Sequence, residues 1–321
     1  MSEMSFEKIV DLHIHTKASD GVLSPTEIIL KAKKLGICAV GICDHDTVAG
    51  IAEAKAAGEK YKIEVIPGVE LSTLFKDKDL HILGYFIDFE NPALLKKLDF
   101  FIQKRRERGV KIVKKLTKLG FKVSFEKVLA KAGGAPIVKP HVALAVLEEK
   151  ENSARLTQEF GDCFSISSFI ESYLESGQPA YVPKVKLTVS EAIKLIHDFG
   201  GLAVLAHPAL DLDCRGKDDK LIADFKEWGL DGIEAFSFVR SWQETQVSLK
   251  HFRALAEKIN LLVTGGSDFH GYACEKEKID AEMGFKNLPL SVDYQYLSQL
   301  KNYLKQRKKL WKQPKKPNDI L

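Results

Sequence analysis

The sequence is poor in the residues that mark secretion, membranes or thiol chemistry. Its 321 residues include five cysteines, three methionines and three tryptophans. The cysteines, at 38, 43, 163, 214 and 274, form no C-x-x-C pair. Cys38 and Cys43 fall in a strand-like run, where a thiol packs as a small apolar group. No apolar run reaches membrane-spanning length, and the polar start, Met1 to Lys8, lacks the apolar centre of a signal peptide. A cytoplasmic protein with no membrane contact and no obligate protein partner is therefore expected. Repeats and low-complexity stretches are missing too, with one exception. Residues 301–316 hold eight Lys and Arg and no acid, so with Asp319 the tail carries +7 in a chain of net charge +4, leaving −3 for residues 1–300. The expectation is a solvated helix end; a weak electrostatic hold on RNA is the sharper alternative.

What is present is ordinary for a globular protein, with 45% apolar and 29% charged residues. The length suits one large α/β domain with an insertion. Strand patterns at Lys8–Leu12, Ile37–Cys43, Ile63–Val69, Leu80–Ile87, Leu202–Ala206, Gly232–Phe236 and Leu261–Thr264 alternate with helix patterns. Ser24-Pro25-Thr26-Glu27 predicts a capped helix start and Gly36 its stop; Asp46 is a plausible cap for a helix running to Tyr61. Short connections predict parallel strands, and seven of them suggest a barrel. Residues 92–182 show no strand pattern and read as a mostly helical insertion that would cover the active-site face. The barrel is then discontinuous, 1–91 and 183–300, followed by the basic tail, 301–321. Val292, Leu297, Leu300 and Leu304 form an apolar stripe just before that tail.

The chemistry sits at strand ends. His13 and His15, two apart, share one face of the first strand, and Asp20 follows in the loop. His45 closes the second strand, Glu70 the third and His207 the fifth, and Asp268-Phe269-His270 follow the last. His81 departs from this pattern, since it opens its apolar run. Six histidines, two aspartates and one glutamate would meet at the C-terminal mouth of a barrel. Nine ligands exceed one tetrahedral ion and suit two or three divalent ions sharing a bridging carboxylate. Without cysteine ligands, these would be catalytic metals with open positions. His197 and His251 fall in helix patterns and read as ordinary surface or packing residues.

His13-Ile14-His15 with Asp20, Asp44-His45-Asp46-Thr47, Gly68-Val69-Glu70, Leu205-Ala206-His207-Pro208 and Gly266-Ser267-Asp268-Phe269-His270 resemble the motifs of the polymerase and histidinol phosphatase (PHP) superfamily. Lys139-Pro140-His141-Val142-Ala143, Ala180-Tyr181-Val182-Pro183 and Asp231-Gly232-Ile233-Glu234 resemble its 3′,5′-nucleoside bisphosphate phosphatase branch, some of whose members trim RNA from the 5′ end. The resemblance implies a distorted (β/α)7 barrel with three divalent ions, Mn²⁺ first and Fe²⁺ or Zn²⁺ as alternatives. It groups His13, His15, Glu70 and Asp268 around one ion, Glu70, His81 and His207 around a second, and Asp20, His45 and His270 around a third. Glu70, His207 and Asp268 would be catalytic. Lys139, which stands where the branch usually has Arg, would grip a second phosphate or an oligonucleotide with His141 and Arg240. Arg105, Arg106 and Arg108 read as a solvated helix face. The implied activity is phosphate monoester hydrolysis on nucleotides and trimming of short RNA. The alternatives are a small-metabolite phosphatase of the histidinol phosphatase type and a non-catalytic binding module.

Overall fold

The computed structural model describes residues 8–76, 78–161, 165–239, 241–271, 282–286, 288 and 290–311. The strands are β1 (Ile9–Ile14), β2 (Ile37–Ile42), β3 (Glu64–Phe75), β4 (Lys78–Tyr85), β5 (Leu187–Thr188), β6 (Leu202–Leu205), β7 (Gly232–Phe236), β8 (Leu262–Gly265) and β9 (Val292–Asp293). In space they run β8-β7-β6-β4-β3-β2-β1-β9, with β5 beside β3. The seven longer strands are the seven expected, and they bend into a nearly closed barrel. Its seam lies between β1 and the residues after β8, where Ile14 bridges Phe269, Asp268 N–H donates to His13 C=O at 3.0 Å and His15 N–H donates to Phe269 C=O at 3.0 Å.

One expectation about direction is overturned. β4 is antiparallel to both β3 and β6 rather than parallel. β3 runs on to Phe75 and turns straight into β4, so the two form a hairpin standing above the barrel mouth. Alternation of apolar residues is the same in either direction and could not reveal the reversal. The reversal also explains His81. An antiparallel strand begins where its parallel neighbours end, so a ligand in the first half of β4 reaches the same mouth as ligands that close the others.

Local signals set several boundaries. Ser24 and Glu27 form the expected capping box, with Ser24 N–H donating to Glu27 Oε2 at 2.7 Å, and Gly36 closes the helix Pro25–Leu35 at φ 74°. Asp46 does not cap the next helix. That helix, Ile51–Tyr61, starts behind Gly50, and the Asp46 carboxylate turns to the barrel mouth instead.

Inside the barrel, Val10 and Leu12 of β1 meet Leu83 and Tyr85 of β4 and Leu202 and Val204 of β6. The same core takes Leu297 and Leu300 from the helix Tyr294–Trp311. This helix follows β9, which pairs with Ile9 and Val10 at the start of β1. Lys301 pairs with Glu64, the first residue of β3, and Arg307 Nη1 lies 3.0 Å from Asp231, just before β7. All these contacts lie at the N-terminal ends of parallel strands. The helix therefore plugs the barrel floor, opposite the mouth, and two cations expected on a solvated tail are paired there. Lys312, Lys315, Lys316 and Asp319 lie outside the described residues.

Between Asn91 and Val182 the described chain is helical, chiefly Pro92–Lys118, Phe125–Ala132, Lys139–Leu147 and Ser153–Phe160. These helices bury an apolar cluster of their own, including Ile112, Leu116, Phe121, Val142, Val146 and Phe169. Leu94 and Leu98, at the start of Pro92–Lys118, instead join the core outside the barrel strands.

Candidate metal centre

Glu70 stands at the middle of the mouth, fully buried. Its Oε1 lies 2.8 Å from His81 Nδ1 and 3.0 Å from His207 Nε2. Its Oε2 lies 2.9 Å from His45 Nδ1, 3.2 Å from His15 Nε2 and 3.5 Å from His13 Nε2. Five imidazoles from three strand ends and a hairpin thus converge on one carboxylate. Asp268 Oδ1 sits 3.0 Å from His15 and 3.3 Å from His13. On the far side of His15, Asp20 approaches His270 at 3.4 Å, His15 at 3.6 Å and His45 at 3.7 Å.

Three sets of donor atoms are close enough to hold an ion each. His13, His15, Glu70 and Asp268 form one, as grouped above; the second joins Glu70 and His81 with His45, and the third joins Asp20, His45 and His270 with His15. His207 Nε2 lies 3.3 Å from His81 Nδ1, beside the second set. The donors suit a cation for two reasons. They are imidazole and carboxylate without thiolate, the mixture that takes Mn, Fe or Zn. Moreover, His15 Nδ1, His45 Nδ1, His207 Nδ1, Glu70 Oε2 and Asp268 Oδ1 are buried with no partner in hydrogen-bond geometry. Buried polar atoms rarely stay unsatisfied, and an ion is the partner such a set is built for.

The electrostatics agree. Burial alone would raise Glu70, but His45, His81 and His13 outweigh it and hold its pKa well below the usual carboxylate range. Burial likewise opposes the charged form of His15, yet Asp268 and Glu70 pull it up to about 10. For His45 burial wins, and its pKa falls to about 4. The centre is a concentrated negative field that favours cations.

The backbone is strained to deliver these groups. His207 has φ 23° and Asp268 φ 54°, both in the left-handed region that side chains seldom adopt. Gly266 allows β8 to reach β1, since a Cβ there would lie 2.3 Å from His13 Cβ.

Sequence reasoning missed the residues that support this ring. Glu234 of β7 is buried and accepts from His13 Nδ1 at 3.1 Å and from His207 N–H at 2.8 Å. It fixes the His13 ring so that Nε2 faces the centre, and it clamps the strained His207 turn. Asp11 accepts from the backbone N–H groups of Ser267 and Gly284 at 2.9 and 2.6 Å, and from Ser267 Oγ at 2.6 Å. Asp44 accepts from Thr16 N–H at 2.7 Å and Ser19 Oγ at 2.6 Å. The available signal was an acid inside an otherwise apolar strand run, since a buried charge needs partners.

Beside the centre lies a cavity of about 200 Å³, whose lining includes Asp20, His45, Asp79 and His81 together with Arg105, Arg108, Lys139, Lys184 and Lys186, Lys186 being paired with Asp79. Here the expectation of a solvated arginine face is corrected. Arg105 and Arg108 are buried, because Arg105 Nε donates to Asp46 at 3.0 Å and Arg108 Nε to Val182 C=O at 2.7 Å. Only Arg106 of the three is exposed. Asp46 also accepts from Ser72 N–H at 3.0 Å and lies 2.9 Å from Lys184 Nζ. Burial would raise the Asp46 carboxyl, but Lys184 and Arg105 hold it well below its ordinary range. Burial and Arg105 push Lys184 down to about 7. Lys139 lines the cavity with its Nζ 2.6 Å from Glu175. His141 is buried nearby, its Nδ1 accepting from Val138 N–H at 3.4 Å, and is not among the lining residues. Arg240 lies outside the described residues. His197 and His251 pair with Asp231 and Asp219, each at 2.8 Å, away from the centre.

Residues 11–316 match the family model described as PHP domain. A 5′-3′ exoribonuclease of Haemophilus influenzae is 36% identical over 264 residues, 82% of this chain and 90% of that protein. A 3′,5′-nucleoside bisphosphate phosphatase of Chromobacterium violaceum is 30% identical over 81% of this chain and 87% of its own length. A solved structure from Bifidobacterium adolescentis, described as a metal-dependent phosphoesterase, aligns with a TM-score of 0.75 at 25% identity, covering 91% of this chain and 95% of that one.

Proposed function

This chain belongs to the PHP domain family, and on that premise we propose which phosphoesters it hydrolyses and how its residues divide the work. It is a metal-dependent hydrolase of phosphate esters. Its substrates are 3′,5′-nucleoside bisphosphates, converted to 5′-monophosphates, and short RNA trimmed from the 5′ end. The observation that carries this reading is the adjacency of two unlike surfaces: a ring of imidazoles and carboxylates, and a small cavity whose lining holds five cations, with Asp79 paired to Lys186. A substrate with one reacting and one spectator phosphate fits both at once.

Two to three divalent ions, Mn²⁺ ahead of Fe²⁺ or Zn²⁺, are held by His13, His15, Asp20, His45, Glu70, His81, His207, Asp268 and His270. When bound, such ions neutralise phosphoryl charge and lower the pKa of water. The chain's own groups supply the geometry. Glu70 spans the sets, Asp268, the most exposed of the three carboxylates, takes the proton of the attacking water, and His207 orients the ester from its strained turn. Lys139, Arg105 and Arg108 receive the spectator phosphate, and Lys184 sets the charge of that pocket. Arg is the usual fork for phosphate, and Lys139 acts as a point charge instead. No helix among the described residues is long and apolar enough to cross a membrane; nucleotide and RNA substrates support a reading as a cytoplasmic enzyme.

The test is a parallel assay of Mn²⁺-loaded protein on adenosine 3′,5′-bisphosphate, histidinol phosphate and a 5′-phosphorylated oligoribonucleotide. Phosphate release from the first and mononucleotides from the third are expected. Preference for histidinol phosphate would overturn the reading.

A further inference from the structure

Among the described residues two long helices are strongly basic, and they lie at different ends of the barrel. The tail helix Tyr294–Trp311 plugs the floor. The helix Pro92–Lys118 lies beside the mouth and carries ten Lys and Arg against two acids. Its inner side delivers Arg105 and Arg108 into the cavity. Its outer side is patterned. Lys97, Lys104, Lys111 and Lys118 recur every seven residues, and seven residues bring an α-helix back to within about 20° of the same side. The four cations therefore form one stripe, with intervals of about 10 Å and a span of about 30 Å. Lys97, Lys111 and Lys118 are exposed and Lys104 is half-buried.

Two further observations point to the occupant. Phe100 lies on the same side and is 52% exposed, with Lys104 Nζ 5.6 Å from its ring centre. An exposed ring among evenly spaced cations is the stacking-plus-phosphate pattern of single-strand binding. The stripe is also continuous with the cavity. Arg108, four residues after Lys104 and three before Lys111, turns into it. Lys115 donates to the carbonyl of Tyr181 at 2.6 Å, and Tyr181 lines it. One acid interrupts the stripe, Glu107, which sits 3.0 Å from Lys104. Helical spacing puts Asp99 on a different side.

We infer that this stripe is the track for the body of a single-stranded RNA whose 5′ end occupies the metal-lined cavity. The inference rests on the proposed reading of the site as a 5′-end phosphoesterase. A membrane surface fits less well, since an interfacial helix exposes its apolar face, whereas Leu94, Leu98, Ile112 and Leu116 are buried. The floor helix cannot serve the same strand, because the barrel separates it from the mouth.

The experiment compares two triple variants that remove equal charge. One is Lys104→Ala, Lys111→Ala and Lys118→Ala on the stripe; the other is Lys305→Ala, Lys308→Ala and Lys309→Ala on the floor helix. Binding of a fluorescent, phosphorothioate-linked oligouridylate dodecamer is measured by anisotropy across a range of KCl. The stripe variant should lower the log–log salt slope by about 2, at roughly 0.7 per lost contact to a single strand, and the floor variant should match the parent. Phe100→Ala should weaken binding with the slope unchanged, the mark of a stacking contact. Hydrolysis of adenosine 3′,5′-bisphosphate is followed alongside and should hold in the stripe variant; its absence from the parent would count against the proposed function instead. Equal slopes for parent and stripe variant, or equal losses in both triple variants, would overturn the inference. So would stripe-dependent binding to phosphatidylserine vesicles without binding to RNA.

Discussion

At the floor of the barrel, Leu297 and Leu300 fill the opening, and the charges around them are satisfied in pairs, Lys301 with Glu64 and Arg307 with Asp231. At the mouth, six histidines and three carboxylates crowd together, with Glu70 Oε2, Asp268 Oδ1 and His15 Nδ1 outside hydrogen-bond geometry and with His207 and Asp268 in left-handed backbone. The same strands serve both ends. The floor follows the rules of a stable core, whereas the mouth breaks them wherever a ligand must be presented. On the proposed reading of the mouth, stability and function are separated along the barrel axis. The comparison predicts that damage at one end leaves the property of the other largely intact.

The largest effect belongs to Glu70→Gln. The carboxylate touches five imidazoles, and an amide would place an N–H₂ among donors that a cation has to share. Hydrolysis by Mn²⁺-loaded protein should fall by roughly 10³-fold or more, corresponding to several kcal/mol of lost charge stabilisation. Metal content measured by elemental analysis should drop below two ions per chain. The far-ultraviolet circular dichroism should stay that of the parent. Retained activity with full metal content would remove Glu70 from its central place.

Leu300→Ala is the floor counterpart. Leu300 is fully buried in the barrel core, and truncation there leaves a cavity costing about 2–5 kcal/mol. Denaturant unfolding should show the loss, and the kcat of the folded variant should stay near the parent value. A fall in kcat without a fall in stability would break the proposed separation.

A smaller mouth effect tests Glu234. Because it accepts from His13 Nδ1 and from His207 N–H, Glu234→Ala should weaken metal binding by about 10–100-fold, the usual cost of losing such a support. Glu234→Gln keeps one acceptor and should recover part of it. Calorimetric titration with Mn²⁺ separates this from simple destabilisation, since a purely structural role would lower the melting temperature of both variants without changing the affinity of folded protein.

Glu234 also marks the limit of what could be read in advance. His13, His15, His45, Glu70, His207, Asp268 and His270 were visible because each is a polar residue at or just beyond the end of an apolar run. The barrel was visible because seven such runs alternate with helices. Glu234 and Asp11 lie within runs, where one acid among apolar neighbours looks like an edge or a solvent-facing position. β5 and β9 are two residues long, too short for any periodicity. The direction of β4 leaves no trace in alternation. Arg105 and Arg108 look like surface cations, because burial of an arginine depends on a distant acceptor, Asp46 for one and the carbonyl of Val182 for the other.

The finest contrast is between two lysine–carboxylate pairs, one at each end. Lys301 at the floor, its side chain about a quarter exposed, meets Glu64 and the Tyr294 hydroxyl, and although burial opposes the charged form these partners raise its pKa above the ordinary lysine value. Lys184 at the mouth meets Asp46 just as directly, yet burial and the neighbouring Arg105 draw it from 10.5 to about 7. Their linkage to folding has opposite signs. Between pH 7 and 10.5 the unfolded chain binds a proton that folded Lys184 has released, so this residue makes stability rise with pH across that window. The stabilisation from Lys301 is present below its ordinary pKa and is lost as pH climbs through its raised value. Competitive acetylation followed by mass spectrometry should therefore give a midpoint near 7 for Lys184 and one above the ordinary lysine value for Lys301. Asp46→Asn removes the carboxylate that supports the ammonium, so the Lys184 midpoint should move lower still and the residue should be neutral at physiological pH. Glu64→Gln should lower Lys301 only modestly, because the Tyr294 hydroxyl still accepts from its Nζ at 2.7 Å. A Lys184 midpoint near 10 in the parent would mean that burial does not disfavour its charge, and the contrast between a partly exposed floor pair and a buried mouth pair would fail.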